Sequence, residues 1–396
     1  MIGVKNEMLN SSVYLSKKII FLLTVAGGLA VANLYYNQPL LAEIARSFNT
    51  DSQAVSIIST LTQLGYACGI FLFVPIGDIR EKKQLILMLL VAVALSLLGV
   101  ATATNLTWMY VASFAVGLTT VVPQIITPLV AQLSKPEEKG RAVGLVVSGL
   151  LIGILVARTV AGYVGYIIGW RYMFVFASIL MCSLALVLYF SLPATGVSEK
   201  LTYRALLRSV FSIISKYSML RRVSISGAML FGAFSAFWTT LTFLLEDPPY
   251  YMHSDQIGLF GLLGAAGALG VSLIGRLNDS REPRIIAVKC VSIGILSFII
   301  LSFFEGELFG IIVGVVLLDF GIQGAQVSNQ TRIYALSTNE RSRINTVFVV
   351  SNFIGAAVGS LLGALAWNWF KWQGVCVVGV VLMLVALGST IIEEDQ

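Results

Sequence analysis

Uncharged, strongly apolar stretches recur along the whole chain with short polar segments between them. A helix of roughly 20 residues crosses a hydrocarbon core ~30 Å thick, and these stretches reach that length. They are continuous runs of Leu, Val, Ile, Gly and Ala. A membrane barrel would instead show segments of about 10 residues that alternate between apolar and polar. The pattern therefore predicts twelve transmembrane helices, over 19–41, 54–76, 84–104, 108–133, 142–165, 171–192, 223–245, 256–274, 285–304, 308–330, 344–366 and 372–392. The first run follows Lys17 and Lys18 like a signal segment, but it continues to Leu41 with no small-residue cleavage site, so it is expected to stay as a first helix.

Composition agrees with this picture and excludes others. With 57% hydrophobic and 12% charged residues among 396, the chain holds more apolar surface than a soluble core absorbs. The net charge of +6 does not point to nucleic acid, because the positive residues sit singly or in small groups in the loops between apolar runs. Cys68, Cys182, Cys290 and Cys376 fall one each in four different runs, which suits packing and neither metal ligation nor a disulfide framework. There is no phosphate-binding loop, no cluster of His, Cys and carboxylate, and no nucleophile elbow. No enzyme activity, cofactor or metal is expected, and an ATP-driven pump is disfavoured.

Loop charge sets the orientation. Counted on alternate sides of the twelve runs, 22 Lys and Arg lie on the side of the termini and three, Arg46, Arg171 and Lys371, on the other. By the positive-inside rule both termini are cytoplasmic, in the inner membrane of a bacterium. The longest polar stretch, 193–222, carries Lys200, Arg204, Arg208, Lys216, Arg221 and Arg222 and divides the chain into halves at 1–192 and 223–396. Within it 201–220 has apolar residues at helical spacing. It reads equally as an amphipathic helix on an anionic leaflet or as a solvated connector.

The halves are copies. Asp78-Ile79-Arg80-Glu81 returns as Asp279-Ser280-Arg281-Glu282, a shift of 201, while Arg141, Gly153, Ala157 and Trp170 return as Arg343, Gly355, Gly359 and Trp372, a shift of 202. Each copy has an even number of runs, so both cross in the same sense and an axis along the membrane normal relates them.

The loop over 74–83 (VPIGDIREKK) resembles the signature of the major facilitator superfamily, approximately G-x-x-x-D-R-x-G-R-K. It keeps Asp78, Lys82 and Lys83 and departs at Val74, Ile79 and Glu81; the second copy at 275–284 keeps its Gly and Asp279. GWRYMF at 169–174, NLYYNQPLL at 33–41, SGLLIGILVARTVAG at 148–162, FSAFWTT at 234–240 and LLDFGIQGAQVSNQ at 317–330 are similar to bacterial drug:proton antiporters of that superfamily. The resemblance implies an all-α fold of two pseudo-symmetric six-helix bundles and secondary transport of a small molecule, with protons as a second partner and one chain sufficing. In the antiporter signature of the fifth run, Ala157, Arg158, Ala161 and Gly162 stand at the G-P and G-G positions, so the proline is absent. The arginine common in the fourth run of drug antiporters is also missing, with Ser113 near its place.

Two formal charges lie deep in the runs, Arg158 in the fifth and Asp319 in the tenth. Burying them is costly, which makes them functional candidates. Each is 11 residues from the outer end of its run, about 16 Å at ~1.5 Å per residue, so they sit level. They form either a self-neutralising structural pair or a proton-coupled switch. His253 falls in an outer loop, which leaves Asp319 as the carboxylate at depth.

The first run holds Asn33, Tyr35, Tyr36, Asn37 and Gln38, too polar for lipid and expected to face a cavity. Asn33 and Asn37 share a helical face, and the repeat sets Trp238 and Thr239 opposite Tyr36 and Asn37. Gln323 and Gln326 in the tenth run, and Gln124 in the fourth beside the helix-bending Pro123 and Pro128, complete the expected cavity. Such aromatic and amide groups suit an amphipathic or cationic solute, and they serve equally as polar glue between helices. Asp78, Arg80, Lys82 and Lys83, with Asp279 and Arg281 in the second copy, are expected to latch neighbouring helix ends, or simply to set topology. The reading as a whole is proton-coupled export of a small organic solute by alternating access, with import or facilitated passage of a sugar or metabolite as its rival.

Overall fold

The computed structural model describes residues 15–135, 137–193, 203–337 and 340–392, and every regular element among them is helical. Among the described residues nine helices are individually long and apolar enough to span a membrane. One of these, Arg341–Ile391, is two spans joined at Lys371, whose φ of 51° turns the chain back. Lys17–Ala32 with its continuation, and the glycine-rich Ser254–Ser280, bring the described crossings to the expected twelve. The others are Ser52–Phe73, Lys82–Ala101, Leu106–Leu133, Lys139–Ile168, Trp170–Ser191, Ser218–Glu246, Pro283–Phe303 and Leu308–Tyr334. We number them spans one to twelve in chain order.

Two spans break, span four where proline removes an N–H and span one ahead of a proline. Span four stops at Thr119 and resumes at Val122 with Pro123 in its first turn. Span one, expected to be helical to Leu41, ends at Ala32. A series of i to i−3 bonds from Asn33 through Leu40 then carries the chain past Pro39 into the short helix Leu41–Phe48.

Within the first half span one packs on five, two on four and three on six; within the second, seven packs on eleven, eight on ten and nine on twelve. The halves meet through two on eleven and five on eight. Under the repeat shift two becomes eight and five becomes eleven, so these two seams are one contact seen twice about a pseudo-twofold axis. At Gly153 an added Cβ would lie 2.2 Å from Gly28 O, which is why spans one and five can touch along their backbones.

The linker helix Tyr203–Lys216 does not lie apart on a lipid surface with its apolar face. It buries Val210 and Ile213 against Ile344, Val347 and Phe348 at the end of span eleven. Tyr203 donates to Leu72 O of span two at 3.0 Å, Phe211 meets Phe71, and Lys216 pairs with Glu340 at 2.8 Å, so the helix straps the halves together. We call this side the linker face.

Candidate functional site

The break in span one places Gln38 beneath span five, where its Oε1 accepts from Arg158 Nε at 2.7 Å. Nη1 of the same guanidinium donates to Ile154 O at 3.4 Å. Three rings surround it, with Cζ 4.0 Å from the ring centre of Trp238, 4.9 Å from Tyr35 and 5.6 Å from Phe234. Arg158 is 2% exposed, and this aromatic cage with one amide is what makes a buried cation tolerable there.

Asp319 of span ten is 4% exposed and reaches the same neighbourhood from the other half. Both charges lie against one stripe of span eight: a Cβ on Gly261 would stand 2.9 Å from Arg158 Cβ, and one on Gly264 would stand 2.7 Å from Asp319 Oδ2. The two side chains influence each other electrostatically, yet they make no ion pair within 4.0 Å. The equal depth read from the sequence is thus matched by shared surroundings, while Gln38 rather than Asp319 holds the guanidinium.

The remaining polar candidates divide among several contacts instead of lining one cavity. Asn33 turns to span six, donating to Met181 Sδ at 3.3 Å. Asn37 turns to span two, where it donates to Thr62 Oγ1 and accepts from Ser59 Oγ, both at 3.4 Å. Tyr36 is buried nearby. Gln124 donates to the Tyr66 hydroxyl at 3.3 Å, Thr239 bonds with Ser360 of span eleven at 3.1 Å, and Gln326 donates to Gly227 O at 3.4 Å. Trp238, expected opposite Tyr36 and Asn37, lies over Arg158 and is 3% exposed, well away from lipid.

Of the residues expected to face a cavity, Tyr35 and Gln323 border one of about 180 Å³, which opens between spans one, five, seven and ten. Its other walls are apolar, including Leu150, Ile154, Phe231 and Phe234. Because Val147 to Ile154 precede Arg158 on span five, the cavity lies on the linker side of the guanidinium. On the far side a pocket of only about 10 Å³ is bounded by Gln38, Pro39, Trp238 and Thr242.

The face opposite the linker is shut. Thr159 donates to Gly258 O at 2.9 Å, and Ser254 donates to Glu43 at 2.8 Å and to Gly162 O at 3.2 Å. Arg46 pairs with Glu246, and Asn368 donates to Gln53 at 3.2 Å. Every one of these contacts joins one half to the other.

The loop cations act inside each half. Lys82 donates to Gln132 at 2.5 Å, joining spans three and four, and Lys83 donates to Leu192 O at 2.6 Å, at the end of span six. In the second copy Arg284, the repeat partner of Lys83, donates to the last carbonyls of span twelve, Thr390 O and Ile391 O. Arg80, Asp279 and Arg281 are exposed, and the side chain of Asp78 lies outside the described ones.

Sequence reasoning passed over the ties of the opposite face, Glu43, Arg46, Glu246 and Ser254, and Phe234 in the cage, and it named Tyr35 without pairing it with Arg158. One signal was present: glycine recurs every third residue from Gly258 to Gly270, marking a helix side on which another backbone can lie.

Twelve helices in two related halves, shut together on one face around a buried charged seam, define a polytopic membrane transporter. The sequence profile of the Major Facilitator Superfamily matches residues 23–337, and the chain belongs to that family. It is 40% identical over 373 residues to the uncharacterized transporter YgaY of Escherichia coli O157:H7, covering 94% of this chain and 95% of that one. It is 23% identical over 355 residues to a probable sugar efflux transporter of Helicobacter acinonychis, with 88% of each chain covered. Among solved structures it is similar to the nucleoside transporter NupG, with a TM-score of 0.77 over 94% of this chain and 98% of that one; at 13% identity this is a likeness of fold. The protein is a transporter of this superfamily and not an enzyme.

Proposed function

We propose that the protein exports a small organic solute by alternating access and draws on the proton gradient through Asp319 and Arg158. The observation that carries this is their placement: two buried opposite charges, one from each half, lie beside each other at the seam without bonding directly. A buried carboxylate must be balanced by a cation or neutralised by a proton. Rocking of the halves changes the separation of Asp319 from Arg158, so each conformation selects between those alternatives.

The 22-to-3 distribution of Lys and Arg supports a linker face on the cytoplasmic side of a bacterial inner membrane. Solute then enters the cavity from inside while the ties across Ser254 and Glu246 close the outer side. Export is the direction carried in the name of the Helicobacter relative.

Inverted membrane vesicles with an imposed pH gradient, tested on a broad solute panel, decide the matter. An exporter accumulates its solute in them, and Asp319→Asn leaves solute counterflow measurable at high solute concentration while losing accumulation. Accumulation by the Asn variant at the wild-type level would remove Asp319 from coupling. Uptake by right-side-out vesicles alone would make the protein an importer.

A further inference from the structure

Two orphaned atoms at the seam are chemically complementary. Arg158 Nη2 is a donor and Asp319 Oδ2 an acceptor, and both are buried without a hydrogen-bond partner, as is the Trp238 indole N–H, which faces the Asp319 carboxyl. The rest of the guanidinium is engaged, Nε by Gln38 and Nη1 by Ile154 O. Buried polar atoms are nearly always satisfied, and two unmatched charged ones at a single seam call for a ligand that meets both.

We propose that the cargo is a small zwitterion, a carboxylate and an ammonium one or two carbons apart, carrying an apolar side group. Its carboxylate takes Arg158 Nη2, its ammonium takes Asp319 Oδ2, and the side group occupies the cavity walled by Ile154, Phe231 and Phe234. This deepens the transport reading above and rests on it. A purely cationic solute fits poorly, because the ring faces that would attract it are turned to Arg158, whose own charge repels it. A purely anionic one leaves Asp319 unbalanced. A sugar would bring many hydroxyls to a wall whose one amide is Gln323. The zwitterion answers both charges and leaves the net charge of the seam unchanged.

The same chemistry supplies exchange with protons, since the ammonium and a proton are alternative occupants of Asp319. Arg158 is the charged group facing that carboxyl, Tyr35 is the other titratable side chain beside Arg158, and 258–270 of span eight contains none.

The test is binding to the purified full chain in lipid nanodiscs, followed by tryptophan fluorescence and titration calorimetry. The probes are L-phenylalanine and its two singly charged analogues, 3-phenylpropanoate and 2-phenylethylamine. Phenylalanine is expected to bind at least about tenfold more tightly than either analogue, the loss from one missing charge-assisted hydrogen bond. Asp319→Asn should narrow its advantage over phenylpropanoate toward unity while phenylpropanoate still binds, which also shows that the variant is folded. Equal binding of a singly charged analogue, or no binding of phenylalanine, overturns the proposal. Phenylalanine binding with this pattern but without gradient-driven accumulation would sink the transport reading and leave the site. Accumulation of another solute that phenylalanine does not inhibit would do the reverse.

Discussion

Gly162 of span five and Gly258 of span eight meet backbone to backbone. A Cβ on Gly258 would lie 3.3 Å from Gly162 Cα and 2.6 Å from Arg158 O, and one on Gly162 would lie 2.1 Å from Ser254 O. No side chain fits between them, so this contact exists only while the face opposite the linker is shut. Arg158 stands one turn before Gly162 on span five, toward the linker face, which links closure of the opposite face directly to the position of the buried cation.

Gly258→Leu should therefore hold the opposite face open. Overpacking of a tight contact costs typically about 1–3 kcal/mol, enough to shift a two-state equilibrium by about 5- to 150-fold. A cysteine placed at Ser254 should become labelled by a membrane-impermeant maleimide about tenfold faster in the Leu variant, with transport reduced to a similar degree. Unchanged labelling would show that the closure does not depend on this approach.

Gln38→Leu removes the acceptor of Arg158 Nε and leaves a buried charged donor unmet. The expected loss is about 1–3 kcal/mol of stability, read as a lower midpoint of thermal unfolding in detergent. Gln38→Glu restores an acceptor and should recover most of the midpoint.

Lys83 and Arg284 cap the last carbonyls of spans six and twelve in repeat-related positions. A cation at a helix C-terminus contributes about 0.3–1 kcal/mol, so Lys83→Ala and Arg284→Ala should each lower thermal stability by that order, and the double variant by roughly the sum. Opposite signs for the two would contradict the twofold relation between the halves.

The strap of Lys216 on Glu340 should respond to pH. The hydrogen bond from Lys216, then that from Tyr217, holds the Glu340 carboxyl below its ordinary 4.5, and the bond to Glu340 raises Lys216 above its ordinary 10.5. Glu340 therefore supports the strap fully above 4.5 and loses that support as pH falls through its depressed value; Lys216 does so below 10.5 and fails as pH rises through its elevated one. A spin label at Ser212 should be immobile between those limits and gain mobility in acid. Glu340→Gln should already be mobile at neutral pH.

The amides of span one show where sequence reasoning lost its footing. Asn33 and Asn37 share a face only if the helix continues, and that assumption put them in one cavity with Trp238. The helix stops at Ala32, and the turns leading to Pro39 change the phase of every later side chain. Asn33 consequently meets Met181 while Asn37 meets Thr62. The same break delivers Gln38 to Arg158, a contact that no regular period would have produced.

The sequence by itself determined the twelve crossings, the two copies and the two deep charges. Each of these follows from a local cost: of polar groups in hydrocarbon, of cations crossing a membrane, and of an ionised side chain far from water. Tertiary structure alone decided which half-seams meet, that Gln38 and three rings hold Arg158, and that Asp319 stops short of it. Those outcomes depend on how a broken helix and a glycine stripe set two backbones against each other, and such geometry is a property of packed pairs that no single stretch of sequence contains.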